Sequence, residues 1–174
     1  MGRQDLPTVE ELVGEVFRAL YRRLVTQLYA VTGNRVEAED AVQEAFARAV
    51  ASGERWREVL NPEAWLRTVA LNVVRTRARR SRLFAVLTPR IAAPADVRGV
   101  SEDHLAIVSA MRRLTPRQRE VVALHYFADL SVAEVAVELG VPEGTVKTRL
   151  KRAREALGVH LAAEPSEPSE VDRG

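Results

Sequence analysis

Residues 131–157, SVAEVAVELGVPEGTVKTRLKRAREAL, read as a helix, a short glycine-bearing turn and a second, basic helix. Ser131 is placed to cap the first helix, and Glu134, three residues on, completes a capping box. Gly140 supplies a left-handed stop, and Pro142 stands where the next helix opens. In the second helix Val146, Leu150, Ala153 and Leu157 recur at i, i+4, i+7 and i+11, an inward stripe. With side chains turning about 100° per residue, Gly144, Thr148, Lys151, Arg152 and Glu155 face outward. Thr145 and Lys147 flank that face. A helix-turn-helix sets its recognition helix in the DNA major groove with this layout. Two helices and a tight turn also occur in plain bundles; the basic outer face tips the reading towards DNA.

Composition narrows the class. The 174 residues are 47% hydrophobic but only 5% aromatic, which suits helices packed through Ala, Val and Leu. Net charge is only +2, yet it is segregated: Arg75, Arg77, Arg79, Arg80 and Arg82 form one basic block, and Lys147 to Arg154 another. Acid gathers at Glu37, Glu39, Asp40 and Glu44, and again after Glu164. Two basic patches with an acidic one predict nucleic acid plus a protein partner. Without cysteine, disulfides and thiolate metal sites are excluded. No apolar run approaches the roughly 20 residues that cross a bilayer, and the N-terminus lacks a signal-peptide layout, so the expected location is cytoplasmic, without membrane insertion.

The pattern predicts an all-α protein of two small helical domains joined by a flexible linker. Residues 12–80 read as three helices: about 12–31 ending at Gly33, about 35–51 capped by Asn34, and 62–80 with Asn61 as cap and Pro62 in the first turn. Residues 81–103, with Pro89, Pro94 and Gly99, read as the linker. Residues 104–160 form the second, four-helix domain, where Thr115-Pro116-Arg117-Gln118 is a further capping box. The polar tail 161–174 is expected to be disordered.

The first domain carries its own signal. On helix 35–51 Ala38, Ala41, Val42, Ala45, Phe46 and Ala49 share the core face, and Asp40, Gln43, Glu44 and Ala47 the opposite one. That flat acidic face suits a basic partner helix, although for an isolated helix a solvated face is the default. On helix 62–80 Trp65, Leu66, Val69, Ala70 and Val73 point inward, and Thr68, Asn72, Arg75 and Arg79 share the outer side. One or two arginines there would complement the helix dipole; five between 75 and 82 better fit phosphate and base contact.

Three stretches together resemble one known family. AEDAVQEAFARA resembles the polymerase-binding helix, NPEAWLRTVALNVVRTRARR the promoter-melting helix, and LTPRQREVVALHYFADLSVAEVAVELGVPEGTVKTRLKRAREAL the C-terminal helix-turn-helix of the alternative sigma factors of bacterial RNA polymerase, extracytoplasmic-function class, of actinobacterial type. The resemblance covers nearly all of residues 12–158 and preserves order and spacing. It implies a nonenzymatic protein, without cofactor or metal, that brings polymerase core to a promoter and helps open it. Its partners would be the clamp coiled coil of the largest polymerase subunit, the flap of the second-largest subunit, promoter DNA and an anti-sigma factor.

Carried over by position, the resemblance assigns Asp40, Gln43, Glu44 and Arg48 to the clamp. Asn72, Arg75, Arg79 and Arg80 would grip the minus-ten element, where the loop 53–61, with Trp56 and Asn61, would pocket a flipped base. Thr145, Lys147, Thr148, Lys151 and Arg152 would read the minus-thirty-five element, with Arg149 and Arg154 nearer phosphates. Trp56 would either stack on that base or pack beneath the loop. Where family patterns often place an acidic residue after the asparagine, this chain has Val73-Val74-Arg75. Neither domain should bind DNA tightly alone; tethering both to polymerase raises their effective concentration.

Two other classes share parts of this pattern. A stand-alone helix-turn-helix regulator would share the C-terminal half but usually adds a ligand or receiver domain. A recombinase-like enzyme needs a nucleophile in a charged pocket. Ser52, Ser81, Ser101 and Ser109 fall in caps, loops or helix faces, Tyr21, Tyr29 and Tyr126 in apolar-periodic segments, and His104, His125 and His160 lack metal-ligand spacing. No catalytic constellation assembles.

Overall fold

The computed structural model describes residues 6–85 and 109–158; among them the chain forms helices joined by turns, with no strand. Helix α1 spans Val9–Thr32, three residues longer at its start than the apolar pattern suggests. The reason is a capping box: Glu11 N donates to Thr8 Oγ1 at 3.2 Å, and Thr8 N donates to Glu11 Oε2 at 2.7 Å. Gly33, at φ 66°, ends the helix. Helix α2 spans Arg35–Ala51, capped by Asn34, whose Oδ1 accepts from Glu37 N at 3.2 Å. A 3-10 segment, Gly53–Glu58, leads to helix α3, Pro62–Ala85.

Helix α3 thus outruns its expected end at residue 80, and the first five residues of the expected linker are helical. Ser81, Arg82 and Leu83 contain no breaker, and the first proline is Pro89. The rest of the linker, the start of the second domain at 104 and the tail 161–174 lie outside the described residues.

Of the second unit, the described residues begin with helical residues 109–112, followed by helix α4, Pro116–Val122, with its Thr115/Gln118 capping box in place. The backbone then widens into a π turn, Ala123–Phe127, closed by Ala128 N donating to Ala123 O at 3.1 Å. Asp129 takes a left-handed conformation, φ 55°, and His125 Nδ1–H donates to the Leu130 carbonyl at 2.7 Å, so the tight exit has its own partners. Helix α5, Val132–Leu139, starts at the Ser131/Glu134 box and stops at Gly140, φ 63°. Helix α6, Glu143–Leu157, buries Val146, Leu150 and Ala153.

All six expected core residues of α2 are buried. On α3, Leu66, Ala70 and Val73 are buried as expected, while Trp65 and Val69 are half-buried. The same helix has a second buried stripe, Arg67, Leu71 and Val74, at i, i+4 and i+7. It exists because the two units are not separated: a continuous apolar cluster runs from Val9 in α1 to Ala153 in α6, and α1 lies against both α4 and the π turn. Helix α3 is therefore covered on two sides.

Candidate nucleic-acid interface

Helix α6 presents Gly144, Lys147, Thr148, Lys151, Arg152 and Glu155 to solvent, and its apolar stripe holds that face rigid against α4 and α5. Lys147, Lys151 and Arg152 form no ion pair among the described residues. Thr145 is half-buried, and the Thr148 hydroxyl donates back to the Gly144 carbonyl at 2.8 Å, so its methyl and remaining lone pairs face outward. Arg149 and Arg154, expected nearer phosphates than bases, are both half-buried; Arg154 Nε is buried without a hydrogen-bond partner, and Arg149 lines a cleft between the two units.

On α3, Asn72, Arg79 and Arg80 are exposed. Arg75 is turned towards the second unit: its Nε and Nη2 donate to the two Glu120 carboxylate oxygens at 2.8 and 3.1 Å, and its Nη1 donates to Asn72 Oδ1 at 3.4 Å. In the loop, Trp56 is 4% exposed and meets Trp65 edge-on, centroids 5.3 Å apart. Of the two places expected for it, the indole takes the second and packs beneath the loop. Asn61 is exposed but its Oδ1 caps α3, accepting from Ala64 N at 3.0 Å. The exposed apolar side chain of the loop is instead Leu60, 100% exposed.

On α2, Asp40, Gln43 and Arg48 are exposed and Glu44 half-buried. Glu44 and Arg48 pair with each other at 2.9 Å, and Gln43 Nε2 donates to Tyr21 Oη at 3.5 Å. Asp40 lies 3.9 Å from Arg77, and a cleft of about 280 Å³ between α2 and α3 is lined by Glu44, Arg48, Asn72, Arg77 and Arg80. The acidic face and the arginine face therefore adjoin, a juxtaposition that helix-by-helix periodicity does not reveal.

The larger cleft, about 860 Å³, lies between the units and is lined by Arg75, Arg82, Arg117, Arg119 and Arg149 against Glu37 and Glu120. Arg119 donates from Nη1 to the Val31 carbonyl at 3.3 Å, its Nε is unpartnered, and burial pushes its guanidinium below its ordinary value. Above the cleft Arg67, 4% exposed, makes a bidentate pair with Glu138 at 2.7 and 2.8 Å. Sequence reading missed Arg67, Glu120 and Glu138; a charged residue inside the apolar run AWLRTVA was the available signal for Arg67. Among the described residues no group of three His, Asp or Glu side chains is placed to hold a metal, and no helix is long and apolar enough to cross a membrane.

Comparison with known proteins places these surfaces in a family context. Residues 7–84 match the family model of Sigma-70 region 2, and residues 104–157 that of Sigma-70, region 4. The chain is 35% identical to the ECF RNA polymerase sigma factor SigL of Mycobacterium tuberculosis, over 84% of this chain and 89% of that protein. It is 32% identical to the ECF RNA polymerase sigma factor SigW of Bacillus subtilis, over 82% and 85%. Its fold is similar to the sigma factor RpoE of Bartonella quintana, solved with the anti-sigma factor NepR, at TM-score 0.68 and 23% identity over 83% of this chain and 92% of that one.

Proposed function

The chain belongs to the extracytoplasmic-function class of RNA polymerase sigma factors and directs promoter-specific transcription initiation, and we propose how its surfaces divide that work. The observation that carries the division is the succession of three outward faces: acidic on α2, arginine-rich on α3 and basic on α6. Asp40, Gln43, Glu44 and Arg48 dock on the clamp coiled coil of the largest polymerase subunit, where the self-paired Glu44 and Arg48 contribute shape and Asp40, held only loosely by Arg77 at 3.9 Å, the more available charge. Asn72, Arg75, Arg79 and Arg80 hold the minus-ten element: guanidinium forks take phosphates and single-stranded backbone, giving salt-dependent affinity. The loop 53–61 offers Leu60 and the Asn61 amide beside an extruded base, whose unstacking the contact offsets.

Helix α6 enters the major groove at the minus-thirty-five element with Lys147, Thr148, Lys151 and Arg152 towards base edges and Thr145 at the rim. Arg149 reaches a phosphate once the cleft it lines widens, and Arg154 meets a phosphate further along the helix. The second unit also meets the flap of the second-largest subunit. The linker beyond α3, up to residue 103, threads the polymerase channel, and an anti-sigma factor covers these faces in the resting cell. The chain works in the cytoplasm and performs no catalytic step of its own. A helix-turn-helix regulator acting alone would not supply the acidic face of α2.

The test is run-off transcription by purified chain plus polymerase core on a library of candidate promoters. Initiation from specific start points is expected with wild type and lost with Lys151→Ala/Arg152→Ala or Arg79→Ala/Arg80→Ala. Initiation that those substitutions leave untouched would overturn the division, and tight specific promoter binding without core would point to a regulator.

A further inference from the structure

A side chain that meets an extruded base needs a loop that keeps one shape, and in 53–61 three ties supply it. Trp56 fastens the loop from below, edge-on to Trp65 of α3. Asn61 fastens its far end by capping α3, accepting from Ala64 N at 3.0 Å. Arg57 fastens it from the side. Its Nε donates to Glu54 Oε2 at 2.6 Å, and its Nη2 donates to the Pro7 carbonyl at 2.7 Å, across 50 residues of sequence. Pro7 directly precedes Thr8, the cap of α1, so the strap runs from the loop to the start of a 24-residue helix.

By charge alone Arg55 and Arg57 are equal candidates for DNA phosphates. Their surroundings separate them. Arg55 is exposed and forms no ion pair among the described residues. The Arg57 side chain is 30% exposed, with two of its three guanidinium nitrogens spent on protein. Glu58, Val59 and Leu60 alone span the gap between Arg57 and Asn61. Val59 is half-buried, its N–H donating to the Trp56 carbonyl at 3.1 Å, and Leu60 is left wholly in water. With both ends tied, so short a span has few ways to cross, and Leu60 is offered in one place; with one end loose it has many.

We propose that Arg57 is a positioning residue for promoter opening: its strap to Pro7 holds Leu60 where the extruded base arrives, and it makes no DNA contact itself. This role rests on the reading that loop 53–61 receives such a base. The test binds the full chain with polymerase core to single-stranded nontemplate oligonucleotides, each carrying one base change in the minus-ten element, over a range of salt concentrations. In Arg57→Ala the preferred sequence is expected to lose about tenfold in affinity while the mismatched ones keep theirs, as when the formed loop falls to about a tenth of the population. The slope of affinity against salt stays at its wild-type value, because no phosphate contact is lost.

If Arg57→Ala loses helical circular dichroism, Arg57→Met, which keeps the stem and lacks the donors, supplies the same readouts. Sequence preference unchanged in a folded variant overturns the strap. So does a uniform loss across all sequences with the salt slope reduced by about 0.7, the share of one single-strand phosphate. Failure of the reading beneath it shows in Leu60→Ala, at a fully exposed position: with that reading sound the preference narrows, and without it the preference survives whatever Arg57→Ala does.

Discussion

Lys151 and Trp56 were both assigned to DNA, and packing separates them. Lys151 is exposed on α6 with no ion pair among the described residues, so truncation removes a DNA contact and little else. Lys151→Ala should leave the melting temperature within error and weaken promoter binding by core complex by about 1–3 kcal/mol if it contacts a base. Competition binding against single base changes checks this, since a phosphate contact would weaken all sequences alike. Trp56 behaves in the opposite way. Its indole is 4% exposed against Trp65, so Trp56→Ala empties core volume and should destabilise the chain by about 3–5 kcal/mol. Urea unfolding measures it; a variant of wild-type stability with impaired promoter opening would restore the base-stacking role. The sequence left these roles of Trp56 open because an aromatic in GERWREVLN has no periodic neighbours to declare a face.

At the scale of elements, what local chemistry determines was legible, and what depends on distant partners was not. The Thr115/Gln118 and Ser131/Glu134 boxes, the Gly140 stop and the stripes of α2 and α6 follow from residues three or four apart. The second stripe of α3 and the π turn do not, because Arg67 answers to Glu138, 71 residues away, and Ala123–Phe127 widens where the unit packs against α1. The caps make measurable predictions. Thr115→Ala removes the oxygen accepting from Gln118 N and should cost about 1 kcal/mol in thermal or chemical unfolding. Hydrogen bonds from Ser131, side chain first and backbone N–H second, hold the Glu134 carboxyl below its ordinary value. A carboxyl lowered in the folded state favours folding above its unfolded pKa, about 4.3, and that contribution fades as pH falls through the lower folded value. Glu134→Gln should therefore lower stability near neutrality and flatten the acid side of the stability–pH curve, so that the two proteins converge at low pH. Unfolding midpoints measured across acid pH decide it; parallel curves for the two proteins would refute the cap's electrostatic role.

For the whole molecule the issue is whether two units behave as one. The second unit contributes about 50 described residues, a size at which a helical core alone is marginal. It shares its apolar cluster with α1 and α3, and its Glu138 is sealed against Arg67 at the seam. Wild type should therefore unfold in one transition, by circular dichroism and calorimetry alike. Arg67→Ala leaves Glu138 buried without its bidentate partner, a loss of about 3–5 kcal/mol for a desolvated pair. Because that loss falls on the seam rather than on either core, it should split the transition, the helix-turn-helix unit melting first and the α1–α3 unit near its original temperature. Glu138→Leu, which removes the charge together with the bond, should narrow the gap in the Arg67→Ala background, since no carboxylate is then stranded. A single transition in Arg67→Ala, shifted as a whole, would mean that the shared apolar cluster rather than the ion pair couples the units.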